Sequence, residues 1–191
     1  MKRGGGSNKG SGFERKICKQ FSLWISKGVR DDIFWRTAGS GARATNRRRR
    51  GKATCNSEGD MGCLDAEFSW LTDSVLVECK RGYNSWRIDD LLLPKIPKGS
   101  VWRIWERLVE DARHSNKLPL LVLKQDRRPI LFFFPQPVFN HPLICVADES
   151  ANLVYISTTL FETPPEYMQR CLANHQIGTK AGNAARKRLA E

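Results

Sequence analysis

No apolar stretch in this chain approaches the roughly 20 residues that a membrane-spanning helix requires. The first 12 residues are mostly Gly, Ser and Lys, without the apolar core of an export signal. A soluble, intracellular protein with no membrane partner is therefore expected. The six cysteines, at 18, 55, 63, 79, 145 and 171, include no Cys-x-x-Cys pair, and several sit in apolar runs. That pattern predicts reduced, mostly buried thiols and no disulfide framework. His141-x3-Cys145 with Cys171-x3-His175 has the composition of a Cys2His2 zinc site. Pro142 and the strand-like run Leu143-Ile144-Cys145-Val146 break the helix its first half needs, so zinc is not expected. Acid is in short supply: Asp+Glu is 20 against Lys+Arg 32, a formal net charge of +12. Such an excess attracts polyanions, nucleic acid first and acidic membrane surfaces second. There is no internal repeat.

What is present is one domain's worth of chain, 191 residues, with appendages. Residues 1–12 read as a flexible basic leader. Phe13, Ile17, Phe21, Trp24 and Ile25 follow helical spacing and stop near Gly28. Ile33 to Thr37 is a short strand. Residues 38–58 mix Gly, Ser, Thr and Asn with Arg43, Arg47, Arg48, Arg49, Arg50 and Lys52, which predicts a mobile cationic loop. Asp60 to Asp65 and Ser74 to Lys80 look like a β-hairpin, and residues 81–99 a Pro/Gly-interrupted connection. Val101, Ile104, Trp105, Leu108, Val109 and Ala112 give the strongest helical period in the chain. Strands at Leu120 to Leu123 and Ile130 to Phe134 flank an Asp126-Arg127-Arg128 turn. Beyond Pro135 the pattern weakens to strands near 143–147 and 153–157, a helix over 165–173 and a basic tail. The order αβββαββ is an α/β core, here 13–135, with a C-terminal extension over 136–191.

The chemistry gathers at few positions. Glu78-Cys79-Lys80 closes the apolar run Ser74-Val75-Leu76-Val77. Residues two apart on a strand share a face, so Glu78 and Lys80 point the same way at the mouth of a buried strand. Glu14 lies on the inward stripe of the first helix, where a carboxylate is costly unless it meets a cation or metal; a first-turn acid favoured by the helix dipole is the alternative. Asp60 and Asp65 differ by an odd number, so only one can join Glu78 on a regular strand. Asp60 is preferred because Gly59 lets the loop enter tightly and Met61-Gly62-Cys63-Leu64 follows as strand. Three carboxylates and a lysine suit a hydrolase of phosphodiesters that uses a hard divalent cation. Lys80 would orient or deprotonate the attacking water and offset transition-state charge. The Arg47 to Arg50 run would neutralise backbone phosphates without reading bases. Trp35, Trp70, Trp86, Trp102 and Trp105 are expected in the core, with Trp86 the candidate exception.

Gly12-Phe13-Glu14-Arg15, Phe34-Trp35-Arg36-Thr37-Ala38-Gly39-Ser40-Gly41, Gly59-Asp60 and Glu78-Cys79-Lys80-Arg81-Gly82-Tyr83 occur in order. Together they resemble a PD-(D/E)XK nuclease, and more narrowly the archaeal Holliday junction resolvases and small phage or prophage endonucleases, over roughly residues 11–135. The resemblance implies a restriction-endonuclease-like αβββαβ core. It further implies Glu14, Asp60 and Glu78 as metal residues (Asp65 as the alternative) with Lys80 catalytic, and Mg2+ or Mn2+ as cofactor. Arg36, Ser40 and Arg43 would lie near the scissile phosphate, with Arg81 a further DNA contact. The implied partner is DNA, the setting the cytoplasm of a bacterial or phage-infected cell, and the resolvase likeness brings a homodimer into view. The proline of the motif's name is absent: Gly59 stands there, or Leu64 if Asp65 is the ligand. The expected activity is DNA endonuclease; a branched-DNA resolvase and a non-catalytic basic binding protein are the rivals.

Overall fold

The computed structural model describes residues 5–37, 59–88, 90, 100–139, 144–147 and 153–174. A five-stranded mixed sheet stands between two helical layers. Its spatial order is β3 (Val75–Arg81), β4 (Leu118–Lys124), β5 (Ile130–Phe134), β7 (Leu153–Ser157), β6 (Ile144–Ala147). β3 and β4 run parallel, from Val75 opposite Leu118 to Arg81 opposite Lys124; the remaining pairs are antiparallel. A parallel pair needs a crossover, and this one includes the amphipathic helix α3 (Val101–His114).

Strand alternation builds two cores. Val75, Val77 and Cys79 face one way, among Phe13, Ile17 and Phe21 of α1 (Gly5–Ile25). Leu76 faces the other way, among Trp102, Trp105 and Leu108 of α3. Leu121, Leu123 and Phe133 share that second core, and Leu120, Val122 and Phe132 the first. Burying a large apolar side chain contributes about 1.5–3 kcal/mol, so both faces of the sheet are strongly held and only its edge is open for chemistry.

That edge is β3. Beside it lies a two-stranded antiparallel ribbon of β1 (Phe34–Arg36) and β2 (Met61–Cys63), with Arg36 opposite Met61 and Phe34 opposite Cys63. The hairpin expected between 60–65 and 74–80 does not form. β2 takes β1 as its partner, and the chain returns to β3 through a turn at 66–69 and the short helix α2 (Trp70–Ser74). A second difference lies at the start: α1 begins at Gly5, inside the stretch expected to be a flexible leader. Trp86 is buried against Phe133, whereas Trp35 is exposed, the reverse of the expected exception.

The strands beyond residue 135 extend the same sheet, with β7 pairing directly to β5. Val138, Phe139, Leu160, Met168 and Leu172, the last two on a helix over 165–174 (α4), join the α1-side core. Trp24 Nε1 donates to the Thr163 carbonyl at 2.7 Å, tying α1 to this late segment. No described helix is long and apolar enough to cross a membrane.

Candidate active site

β3 uses the backbone groups of Glu78 to pair with β4, which leaves those of Val77 and Cys79 pointing out at the sheet edge. Asp60 occupies both. Its N–H donates to the Val77 carbonyl at 2.8 Å. Its carboxylate Oδ2 accepts from the Cys79 N–H at 2.8 Å. The aspartate therefore straddles Glu78, held by the strand that carries it. Gly59 makes the approach feasible: its φ is +76°, and a Cβ there would stand 2.7 Å from the Val77 carbonyl oxygen. A side chain would suffer both the left-handed backbone and the overlap. The entry is closed from the β1 side by the Thr37 N–H on the Asp60 carbonyl at 3.2 Å and by the Thr37 hydroxyl on the Gly59 carbonyl.

Glu14 reaches the cluster from α1. It sits in the middle of that helix, so the first-turn explanation for an inward acid does not apply. Its carboxylate accepts from Arg36 Nε, pairing a half-buried acid with a cation on β1. That ion pair raises the Arg36 pKa, mainly through the hydrogen bond to Glu14, with Asp60 contributing. Glu78 and Lys80 form a second ion pair on the α3 side of β3.

The electrostatics of the pair are informative. Burial pushes the Glu78 carboxyl up, and the negative charge of Asp60 pushes it further, against the pull of Lys80. Burial pushes the Lys80 ammonium down, but Glu78 and Asp60 more than offset this, and its pKa stands above the ordinary value. Both groups thus hold protons more tightly than usual. Burial first, and then Asp60, also raises the Cys18 thiol to about 12 and Cys79 well above its ordinary range. The common cause beyond burial is a concentration of negative potential centred on Asp60, which any cation would relieve.

Of the two candidate aspartates, only Asp60 is beside Glu78. Asp65 pairs instead with the exposed Arg30 at 2.7 Å. No ladder forms between β2 and β3, so strand parity does not separate them; the contact is Asp60's backbone and side chain at a strand edge. Arg81, exposed at the end of β3, contacts Asp126 at 3.6 Å. Ser40, Arg43, Arg47, Arg48, Arg49, Arg50 and Lys52 lie outside the described residues, as do His141 and His175 of the zinc constellation; Cys145 is on a strand. The Arg36–Glu14 pair was not foreseen, since nothing in the sequence ties a strand arginine to a particular helix acid.

Among the described residues no three His, Cys, Asp or Glu side chains form a ready metal cage. The donors at hand, Asp60 and Glu78 with Glu14 behind Arg36, are hard oxygens. They suit a small cation that keeps much of its water and takes one or two protein carboxylates, and they do not suit a soft metal. A cleft of about 650 Å³ between Ile25, Arg30, Phe68, Trp70 and Glu166 shares no residue with this cluster.

A family model described as "Phage putative PDDEXK endonuclease" matches residues 5–163, spanning α1, the carboxylate cluster and the late strands. No curated protein and no solved structure matches the chain.

Proposed function

The chain belongs to this phage PDDEXK endonuclease family, and from that premise we propose that it hydrolyses phosphodiester bonds of DNA with Mg2+ or Mn2+ at the Asp60–Glu78–Lys80 cluster. The observation that carries the proposal is the double hold of Asp60 on the exposed backbone either side of Glu78. It anchors Asp60, through its backbone and its carboxylate, to the strand that carries Glu78.

Asp60 and Glu78 would hold the cation, with Glu14 as a further oxygen donor at the rear. When bound, a hard divalent cation supplies positive charge opposite the phosphate oxygens and makes a water more acidic. Lys80, kept as an ammonium by its two acidic neighbours, orients the attacking water and offsets the charge that accumulates on the phosphate. Arg36 is held by Glu14 at the same sheet edge, where a guanidinium can meet a phosphate with two donors. The net charge of +12 favours a polyanionic substrate. The Arg47 to Arg50 run and Lys52 extend the phosphate-binding surface in this reading.

Purified protein should nick or cut plasmid DNA with Mg2+ or Mn2+ and leave it intact in chelator. Glu78→Ala and Lys80→Ala should each remove cleavage while circular dichroism stays native. Metal-free cleavage, or full activity in the Glu78 variant, would overturn the proposal. A four-way junction assayed beside linear duplex separates a resolvase from a general endonuclease.

A further inference from the structure

Exposed large hydrophobic side chains among the described residues are Val29, Trp35, Leu64, Tyr83, Leu153 and Tyr167. Two of them share a face of the β1–β2 ribbon. Phe34, Met61 and Cys63 point into the α1-side core, so alternation sends Trp35, Gly62 and Leu64 to the opposite face. Trp35 is 37% exposed and Leu64, just past the end of β2, 77% exposed.

Gly62 is the cross-strand partner of Trp35. A Cβ on it would stand 3.0 Å from Trp35 Nε1 and 3.2 Å from Thr37 Cγ2. The missing side chain lets the Nε1–Cε2 side of the indole settle against the β2 backbone, while the residue as a whole stays exposed. The location is specific. Arg36, next in the strand, turns to the opposite face and Glu14, whereas Gly62, the partner of Trp35, is two residues past Asp60 and of the same strand parity. An indole packed on the β2 backbone, across from a residue two positions past Asp60 in a strongly basic protein, has the properties of a nucleobase platform, because any base presents a π-face to it.

We propose that Trp35 stacks on an unpaired base next to the phosphate that is cut, and that the preferred substrate is DNA with an unpaired nucleotide at that position, as at a fork or a single-stranded arm. A base inside an intact duplex is already stacked on both sides and gains nothing from the indole. This inference rests on the nuclease reading of the neighbouring cluster.

The test is binding in chelator, read by fluorescence polarisation of a labelled duplex with a single-stranded arm, a fully paired duplex of equal length, and the armed duplex with an abasic site at the first unpaired position. Wild-type protein should favour the armed duplex, and the abasic site should weaken binding by roughly 5- to 150-fold, the range for one base–aromatic stack. Trp35→Ala should weaken binding of the armed duplex by a similar factor and leave the paired duplex unchanged. In that variant the abasic site should cost nothing further, because one interaction cannot be lost twice. Trp35→Phe should keep most of the preference. An abasic penalty of equal size in wild type and Trp35→Ala, or no preference for the armed duplex, overturns the inference while leaving the nuclease reading intact. Failure of wild-type protein to bind any of the three DNAs, both in chelator and with Ca2+ in its place, overturns both.

Discussion

At the scale of single residues, the site depends on which acid touches which backbone. Asp60→Asn keeps an oxygen for the Cys79 N–H but loses the charge, so it should fold normally and fail to cleave. Asp60→Ala should also leave that N–H without its acceptor, at a cost of about 1–3 kcal/mol, visible as a lower urea midpoint. Asp65→Asn disturbs a pair with exposed Arg30 and keeps an oxygen for the Glu67 N–H, away from Glu78, and should retain activity; the same plasmid assay decides all three. The thiols offer a separate check. Folded Cys18 holds its proton up to about 12, whereas an unfolded thiol gives its proton up near the ordinary 9.0. Between those values the folded state binds more protons than the unfolded one, so this group's contribution lowers stability as pH rises through that window. In mildly alkaline buffer with chelator, iodoacetamide should modify exposed Cys145 quickly and Cys18 and Cys79 only after denaturation. Mass mapping of the alkylated peptides reads this directly, and early labelling of Cys18 would contradict the burial described.

At the scale of elements, much was legible in the sequence. The α3 period at Trp105, Leu108 and Ala112 was plain because a helix on a flat sheet face shows one clean stripe. β4 and β5 were equally plain, being apolar runs around a charged turn. What failed was pairing. Met61 to Cys63 has no periodicity of its own, and nothing local says whether three residues pair with β1 or β3, since strand partners are set by tertiary contact. Trp70 to Asp73 falls between the two expected strands, and the single helical turn formed there leaves no periodic trace in the sequence. The glycine at 59 was legible as a tight entry, and its role can be measured. Gly59→Ala combines a positive φ with an overlap on the Val77 carbonyl, and should cost on the order of 1–3 kcal/mol. Because the strain falls on the peptide that orients Asp60, cleavage should drop by more than the loss of folded protein explains; urea melts paired with active-site titration separate the two effects.

At the scale of the whole molecule, the α1-side core is closed by residues far from α1 in sequence. Removing residues 136–191 would strip β7 from β5 and take away Val138, Phe139, Leu160, Met168 and Leu172. The truncated chain should be insoluble or molten, detected by loss of near-UV circular dichroism. Met168→Ala, a milder change at a fully buried position, should cost about 2–5 kcal/mol and leave cleavage intact at low temperature. The same closure has a consequence in time. A chain emerging from the ribosome has made Glu14, Asp60 and Glu78 long before the segment that buries α1, and the Trp24 side chain waits for the Thr163 carbonyl. Until then α1 has an uncovered apolar face, and the helix that brings Glu14 to the sheet edge lacks its far wall. A nuclease assembled in this order should not be competent to cut while it is still being translated: arresting synthesis before residue 160 should yield nascent chains that contain Glu14, Asp60 and Glu78 and show no activity.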